Sequence, residues 1–464
     1  MTEAIKVDLK LTASQVADSN MASLGGAAIV RVFSGYFVDR FGPRKVMAAL
    51  LIIGAIPTGL MPTVSSISGL EAIRFFISIL GGTFVPCQAW TTTFFDKSIV
   101  GTANAFAGGW GNAGAGVVTS AQIGLYNRLK KAGLTQHLAW RICFVVLPLP
   151  MLLLTVVVIL IFGRDHPAGK WTQRHQLPGT AYEVAAGRQV HLDASEIREQ
   201  EAMRQAAGGE NGTMPRNEKV GPAKASDFAE MPSGEKILPV DTAVAEPVTP
   251  KTALGVVTDL RVIMCAISYL LSFGLETTLD AALPQLLYGL FATESFTAES
   301  AAFAASMYGC LNFVIRPAGG VISDFIYRRF RARGLGVRAR VTYMLLTNMG
   351  QGFFMLGLGL YINQHRTPSF SVIMALVFLL ALSGFQANAA CFGVYPHVRP
   401  KNYGMVSGLI GSCGSIGGIL YALPVRYRPG TKAAGTLGTK FIIMAIMNIV
   451  PLVPFWFVPL GDAA

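Results

Sequence analysis

The sequence predicts an all-α, polytopic membrane protein built from two related six-helix bundles. The 464-residue chain is 52% hydrophobic and only 14% charged, with a mean hydropathy of +0.48, whereas a soluble domain usually carries about 25% charged residues. Apolar runs of roughly 20 residues recur along the chain, which is the length of a membrane-spanning helix. An Arg-x-x-x-Gly-x-x-x-Asp motif occurs once in each half. Together these observations predict two pseudo-symmetric membrane halves.

Five apolar runs precede a long polar segment and six follow it. They lie near residues 20–38, 46–64, 69–95, 101–126, 139–163, 262–290, 300–323, 340–361, 370–395, 403–424 and 439–460. Residues 164–258 are polar and poor in aromatic residues, a composition that favours disorder. We therefore expect an N-terminal bundle at 1–163, a largely disordered cytoplasmic loop at 164–258 and a C-terminal bundle at 259–464.

The repeated motif fixes how the halves correspond. Its copies are Arg31, Gly35 and Asp39, and Arg316, Gly320 and Asp324. The first copy lies on the first apolar run of its half, but the second copy lies on the second run of its half. This offset predicts one more helix before residue 1, so that about eleven of twelve spans are present. A true eleven-span variant is the alternative.

Basic residues follow both copies of the motif. Arg40, Arg44 and Lys45 follow the first copy. Six arginines follow the second copy, from Arg328 to Arg340 with both of these included. Lys and Arg in short loops mark the cytoplasmic side, so both motif ends and the central loop are expected inside. We interpret Gly35, Asp39, Arg40, Gly42, Arg44 and Asp324 as a gate latch or helix-dipole contact rather than a binding site.

The two motif arginines are the strongest candidates for function. A guanidinium at the bilayer centre costs at least about 2.5–3.5 kcal/mol. Arg31 and Arg316 each precede a motif Asp by eight residues, about 12 Å along a helix, which is the depth at which transporters place their substrate. The planar, forked guanidinium suits a flat oxyanion. We therefore predict one anion site between the halves, with an intramembrane salt bridge as the alternative.

Two glycine-rich segments are predicted to pack helices closely. Their glycines are Gly108, Gly109, Gly111 and Gly114 in the first segment, and Gly411, Gly414, Gly417 and Gly418 in the second. Asn112 lies within the first segment and Ser415 within the second. A buried amide or hydroxyl needs a hydrogen-bond partner, and a bound oxyanion would supply one. Both residues are therefore candidate substrate ligands.

Glu276 is a candidate for proton coupling. It lies inside an apolar run, with Asp280 one helical turn later, and carboxylates within membrane spans often belong to proton pathways. The alternatives are that Glu276 pairs with an arginine or lies near a helix end.

Other functions find no support in the sequence. It has no metal-ligand spacing, phosphate-binding loop or nucleophile elbow, so we expect no enzyme, metal or cofactor. The net charge of +12 falls mostly in loops between apolar runs, where basic residues contact lipid headgroups. The lipid bilayer is therefore the expected partner, and nucleic acid is not.

Several of these motifs resemble those of a known family. The run Gly35-x-x-x-Asp39-Arg40-x-Gly42-Pro43-Arg44-Lys45 resembles the loop motif of the major facilitator superfamily, and Asp324 with Arg328 and Arg329 resembles its second copy. The segments at 107–116 and 408–418 resemble the two signatures of the nitrate/nitrite porter family. Residues 74–117 are similar to eukaryotic, fungal-type members.

The resemblance implies a twelve-span major facilitator fold in which one arginine from each half grips nitrate or nitrite. This role would fall to Arg31 and Arg316, with Asn112 lining the site. Ser415 departs from the asparagine usual at its position, which leaves the preference between nitrate and nitrite open. The family implies a multi-pass plasma-membrane importer coupled to protons. A nitrite-selective exchanger and a nitrate sensor with little transport are the alternatives.

Overall fold

The computed structural model describes residues 2–166, 171, 249–399, 402–428 and 436–458. Its N-terminal half contains α1 (Thr2–Asp8), α2 (Ala13–Phe41), α3 (Pro43–Leu60), α4 (Ile67–Ile77), α5 (Phe84–Phe94), α6 (Val100–Lys131), α7 (Gln136–Val146) and α8 (Pro148–Phe162). Its C-terminal half contains α9 (Pro250–Thr258), α10 (Leu260–Phe291), α11 (Ala298–Cys310), α12 (Asn312–Arg331), α13 (Gly336–Gln364), α14 (Phe370–Val394), α15 (Tyr403–Tyr427) and α16 (Thr439–Ile449). The described residues form helices, short 3-10 turns and loops, with no strand.

Nine segments of the described chain are long and apolar enough to cross a membrane. They are Ser14–Phe41, Pro43–Thr63, Ile67–Phe94, Gln136–Phe162, Leu260–Phe291, Gly336–Gln364, Phe370–His397, Tyr403–Tyr427 and Thr439–Phe457. The predicted spans at 101–126 and 300–323 correspond to α6 and to the α11–α12 pair. Both are long helical segments that fall short of this apolar composition, because α6 is rich in glycine and α12 ends in arginines. The nine segments and these two match the eleven predicted runs.

The central polar segment differs in part from the prediction. Residues 167–170 and 172–248 lie outside the described residues, so disorder there stays a prediction. Residues 250–258, however, form α9. Thr249 accepts a hydrogen bond from the backbone N–H of Thr252, and Thr252 caps Thr249 in return, so that a capping box starts the helix. The prediction of disorder is therefore wrong for the last nine residues. The further helix expected before residue 1 stays a prediction.

The halves meet through two related helix pairs, α2 with α15 and α12 with α6. A Cβ atom on Gly35 would lie 2.6 Å from the carbonyl oxygen of Gly404. At the equivalent motif position, a Cβ on Gly320 would lie 2.7 Å from the carbonyl oxygen of Gly101. In both pairs a glycine therefore lets one backbone lie directly on another. We call this end of the bundle, where α2 and α12 end and α6, α10 and α15 begin, the basic end, and the opposite end the far end.

Six of the eight glycines in the two glycine-rich segments pack closely against other residues, and two do not. Close neighbours surround the Cβ positions of Gly108, Gly109, Gly411, Gly414, Gly417 and Gly418. The Cβ positions of Gly111 and Gly114, in contrast, have no neighbour within 4 Å outside their own helix. The packing prediction is therefore wrong for these two residues. The reason is that no described helix covers this face of α6 at their height.

A polar cap closes the far end of the N-terminal half. Asp8, at the end of α1, accepts hydrogen bonds of 2.9 Å from Trp140 Nε1 and Arg141 Nη1. The ring of His137 lies 3.0 Å from the same carboxylate. Burial raises the pKa of Asp8, but the hydrogen bonds from these three side chains outweigh it and hold the pKa below its ordinary value. The short α1 is thereby fixed across the end of α7.

Candidate functional site

Arg31 lies buried in α2 and contacts both halves of the protein. Its side chain is 7% exposed. Nε donates to the carbonyl oxygen of Gly81 at 2.9 Å, and Nη1 donates to the carbonyl oxygen of Gly411 at 2.6 Å and to Ser415 Oγ at 2.9 Å. These acceptors are neutral, and no carboxylate of the described residues forms an ion pair with Arg31. The guanidinium therefore keeps an uncompensated positive charge inside a span.

Arg316, the equivalent arginine of α12, has a different environment. It is 1% exposed, and Nη2 lies 2.5 Å from Glu276 Oε2. Its Nε is buried and has no hydrogen-bond partner among the described residues. An intramembrane salt bridge, the alternative for both arginines, therefore exists for Arg316 and not for Arg31. The two equivalent arginines therefore differ in their partners.

Four donors surround the carboxylate of Glu276, which is 2% exposed. Oε1 accepts from the amide groups of Asn112 at 3.2 Å and Asn312 at 3.1 Å. Oε2 accepts from Arg316 at 2.5 Å and from the amide of Asn388 at 2.7 Å. An ionised carboxylate offers about four lone-pair sites, so every acceptor position is filled. The contact from Asn112 joins the two halves, since the other donors belong to the C-terminal half.

Four aromatic rings connect the two guanidinium groups. We call Phe84, Tyr269, Phe273 and Phe392 the aromatic box. Arg31 Cζ lies 5.2 Å and 5.3 Å from the ring centres of Phe84 and Phe273, and Arg316 Cζ lies 5.7 Å from that of Phe392. Such distances allow cation–π attraction. Tyr269 stacks on Phe273 at 5.0 Å and contacts Phe84 at 5.8 Å and Phe392 at 5.7 Å. The box therefore places the two positive charges around one aromatic surface.

Unpartnered donors remain at this surface. Tyr269 Oη is buried and makes no hydrogen bond with the described residues, like Nε of Arg316. Nη2 of Arg31 also makes none. Leaving a buried donor unsatisfied costs about 1–3 kcal/mol, so the two buried donors, Tyr269 Oη and Arg316 Nε, point to an acceptor that the folded chain does not supply.

The predicted site residues form two groups rather than one. Ser415 belongs with Arg31, whereas Asn112 and Glu276 belong with Arg316. Asn112 is bonded to Glu276 in this conformation, which differs from its predicted role as a direct substrate ligand. Sequence reasoning missed Asn312, Asn388 and the aromatic box. Tyr269 and Phe273 lie four residues apart on the helix of Glu276, a spacing that puts all three on one side of α10.

Both motif aspartates bind the start of a helix in the opposite half. Asp39 accepts 3.0 Å hydrogen bonds from the backbone N–H groups of Gly404 and Met405 at the start of α15. Asp324 accepts from the N–H groups of Gly101 at 3.1 Å and Thr102 at 2.6 Å at the start of α6. A carboxylate at a helix N-terminus satisfies free N–H groups and the helix dipole. These contacts hold the basic end closed.

The basic residues that follow the first motif form further hydrogen bonds at the basic end. Arg40 Nη1 donates to Tyr36 Oη at 2.7 Å, and Arg44 donates to the carbonyl oxygens of Ile159 and Leu160 at the end of α8. Gly42 has a φ of +90°, a conformation that favours glycine, and forms the turn between α2 and α3. A buried ion pair joins Asp324 to Arg340.

Asp259 forms a further ion cluster at the basic end. It contacts Arg261 Nη2 at 3.1 Å and Arg399 Nε at 2.9 Å. Burial raises the pKa of Asp259, but hydrogen bonds from the two arginines outweigh burial and lower the pKa to about 2. This cluster ties the start of α10 to the segment before α15.

Comparisons with known proteins agree with this architecture. The sequence model of the Major Facilitator Superfamily matches residues 1–422. The chain belongs to the Major Facilitator Superfamily. Its fold resembles the solved structure of the proton:xylose symporter XylE, with a TM-score of 0.60, 16% identity and coverage of 99% of this chain and 90% of XylE. The predicted all-α transporter fold is therefore confirmed, and its family is one of transporters rather than enzymes.

Curated relatives of this chain carry the names of nitrate transporters. Nitrate transporter 2.1 of Chlamydomonas reinhardtii is 29% identical over 455 residues, which cover 98% of this chain and 69% of that protein. High affinity nitrate transporter 2.5 of Arabidopsis thaliana is 26% identical, covering 98% and 74%. Nitrate/nitrite transporter NrtP of a Picosynechococcus species is 23% identical, covering 96% and 83%. The predicted resemblance to nitrate porters is confirmed.

Proposed function

We propose that this protein imports nitrate together with protons across the plasma membrane. The observation that carries the proposal is Arg31, a buried guanidinium without a countercharge that faces a second buried guanidinium, Arg316, across the aromatic box. A charge of this kind needs an anion. The names of the relatives, which are nitrate transporters, favour nitrate as that anion.

The free donors fit a small planar oxyanion. Arg31 offers Nη2, Arg316 offers Nε, and Tyr269 offers its hydroxyl, since none of these groups has a partner among the described residues. Nitrate carries acceptor oxygens in one plane, and a guanidinium presents its donors in one plane. The rings of the box provide flat surfaces that exclude water. An anion between the two arginines would then bridge the N-terminal and C-terminal halves.

Proton coupling follows from the filled acceptor sites of Glu276. When a proton binds to this carboxylate, it occupies one lone-pair site, so at least one of the four donors must leave. If Arg316 leaves, its guanidinium becomes available to the anion. If Asn112 leaves, a contact between the halves is lost. In either case, protonation of Glu276 changes the anion site or the interface, as coupling requires.

Alternating access would use contacts at both ends of the α2–α15 pair. At the basic end, predicted to be cytoplasmic, Asp39 binds the start of α15. At the far end, Asp18 and Arg426 form an ion pair of 2.5 Å. Rocking of one half against the other requires the contact at one end to open while the other holds.

The membrane potential explains why protons are needed. An interior-negative potential opposes anion entry by about 2.3 kcal/mol per 100 mV. One proton per nitrate makes the movement electroneutral, and two let the potential drive uptake. We therefore expect at least one proton to accompany each nitrate ion, with Glu276 as its carrier.

Uptake of labelled nitrate, in cells that lack their own nitrate transporters, tests the proposal. Cells expressing this chain should take up nitrate in a saturable way, and unlabelled nitrite should be tested as a competitor. Uptake no greater than that of control cells, with the protein present at the cell surface, would contradict the proposed function. Strong preference for nitrite would reassign the substrate and retain the site.

A further inference from the structure

Asp280 is an exposed carboxylate in the middle of the most enclosed span. In α10, 78% of the apolar 18-residue stretch that qualifies it as a span is buried, compared with 11–61% in the other eight spans of the described chain. Asp280 is nevertheless exposed, and it forms no hydrogen bond or ion pair with a described residue. An ionised carboxylate is costly in hydrocarbon. The side chain of Asp280 is therefore expected to face water rather than lipid.

An exposed stripe leads from Asp280 towards the far end. Ala281, Gln285 and Tyr288 are exposed on the following turns of α10, with the helical spacing of residues on one face. The stripe carries polar groups at Asp280 and Gln285, as a water-lined surface would. Because α10 begins at the basic end, this stripe approaches Asp280 from the side predicted to be extracellular. Glu276 lies one turn deeper, about 6 Å along the axis.

A buried hydroxyl lies on α11, which packs against α10, the helix of both carboxylates. Tyr308 of α11 is 0% exposed, and its Oη has no hydrogen-bond partner among the described residues. It interacts electrostatically with Glu276, Asp280 and Arg316. A Cβ on the neighbouring Gly309 would lie 3.8 Å from Asp280 Oδ1, which brings α11 against the Asp280 face. A hydroxyl both donates and accepts hydrogen bonds, so Tyr308 has the chemistry of a proton relay.

We propose that Asp280 and Tyr308 form the path by which protons reach Glu276 from the far end. A proton from water binds the Asp280 carboxylate. After one of the four donors leaves Glu276 and the side chains move into hydrogen-bond contact, Asp280 passes the proton to Tyr308 Oη, while the hydroxyl proton of Tyr308 passes to the freed oxygen of Glu276. One proton moves inward, and Asp280 and Tyr308 return to their starting states. The path rests on the proposed function, because it supplies the proton that accompanies the anion.

The groups around this path leave few other proton carriers. Glu276 faces Arg316 from α12 and Tyr308 from α11, and Tyr269 and Asp280 share its own helix. The groups that reach it from α6 and α14 are the neutral amides of Asn112 and Asn388. Among these groups, only Asp280 combines a carboxylate with exposure to the far end. Asp280 and Tyr308 carry the proton and are not anion ligands.

Purified protein in liposomes separates proton movement from anion movement. Exchange of labelled for unlabelled nitrate across the membrane needs no net proton transfer, whereas net nitrate uptake acidifies the lumen and is followed with a trapped pH dye. Asp280→Asn and Tyr308→Phe should keep exchange within about twofold, and should slow nitrate-driven proton uptake by about tenfold or more. Asp280→Glu should retain proton uptake. Matched controls are Glu299→Gln, near the start of α11, and Tyr288→Phe, on the stripe.

The outcomes distinguish the path from the proposed function. Proton uptake by Asp280→Asn and Tyr308→Phe at the wild-type rate and with the wild-type pH profile would overturn the path. Equal losses of exchange and proton uptake would also overturn it, since they would assign these residues to the anion site or to folding. Wild-type protein that exchanges nitrate without moving protons would refute both the path and the proton coupling of the proposed function, and would leave anion transport intact. Absence of wild-type exchange would refute the proposed function itself.

Discussion

Replacement of Arg31 by lysine tests the anion site while it keeps the charge. The arginine holds three acceptors from two different nitrogens, with Nε on Gly81 and Nη1 on Gly411 and Ser415. A lysine has one terminal nitrogen, so it cannot keep all three contacts and still offer a donor to an anion.

The expected magnitude follows from these contacts. Loss of one hydrogen bond to a charged group costs about 1.5–3 kcal/mol, which corresponds to about 10- to 150-fold in affinity at 1.4 kcal/mol per tenfold. We therefore expect Arg31→Lys to raise the KM for nitrate by at least about tenfold. The assay is initial nitrate uptake over a range of concentrations, normalised to protein at the cell surface.

Arg40→Lys is the matched control for this experiment. Arg40 lies on the same helix but is exposed and bonded to Tyr36 outside the site, so its replacement should leave the KM within about twofold, as surface contacts contribute little. Wild-type KM and maximal rate in Arg31→Lys would refute the argument that the fork of Arg31 binds the anion.

Three further predictions concern the interface and the ion pairs. Gly408→Ala should impair transport and lower the Tm, because its Cβ would lie 2.6 Å from the carbonyl oxygen of Arg31. The control Gly124→Ala, whose Cβ would have no neighbour within 4 Å, should do neither. A Gly408→Ala protein with the same Tm as Gly124→Ala would contradict the close α2–α15 packing. Asp324→Asn should destabilise the protein by about 3–5 kcal/mol, because it leaves buried Arg340 without its countercharge, and a denaturation midpoint equal to wild type would argue against this pair. Asp259 should stabilise the fold fully above its ordinary pKa of 3.8, and less as the pH falls towards its folded pKa of about 2. The Tm difference between wild type and Asp259→Asn should therefore be constant near neutral pH and shrink only below about pH 4; a difference that already shrinks near neutral pH would contradict this assignment.

The sequence was sufficient to locate the arginines but not their partners. The Arg-to-Asp spacing gave the depth of Arg31 and Arg316, because a helix converts residue count into distance. The four donors to Glu276 come from three other helices, two of them more than 100 positions away in the chain. No local pattern records such contacts. The difference between the two arginines therefore became visible only in the folded chain.

The helix boundaries show the same difference between features that local sequence predicts and features that it does not. Apolar runs predicted the spans because hydrophobicity is a local property, and α6 and α12 remained recognisable despite their glycines and arginines. The breaks at Leu147 and Leu311, where one span becomes two helices, were not predicted. The start of α9, in contrast, has a local sequence signal, since Thr249, Pro250 and Thr252 form a helix-start pattern within the polar segment.

The pH dependence of nitrate uptake by Glu276→Gln tests the central claim most directly. Glutamine keeps the size of the side chain but cannot bind and release a proton, and its NH2 group donates where one oxygen of Glu276 accepts two hydrogen bonds. We predict that wild-type uptake rises from neutral to acid pH and that uptake by the variant does not. An equal rise in both proteins would show that Glu276 does not carry the proton and would contradict the account of coupling.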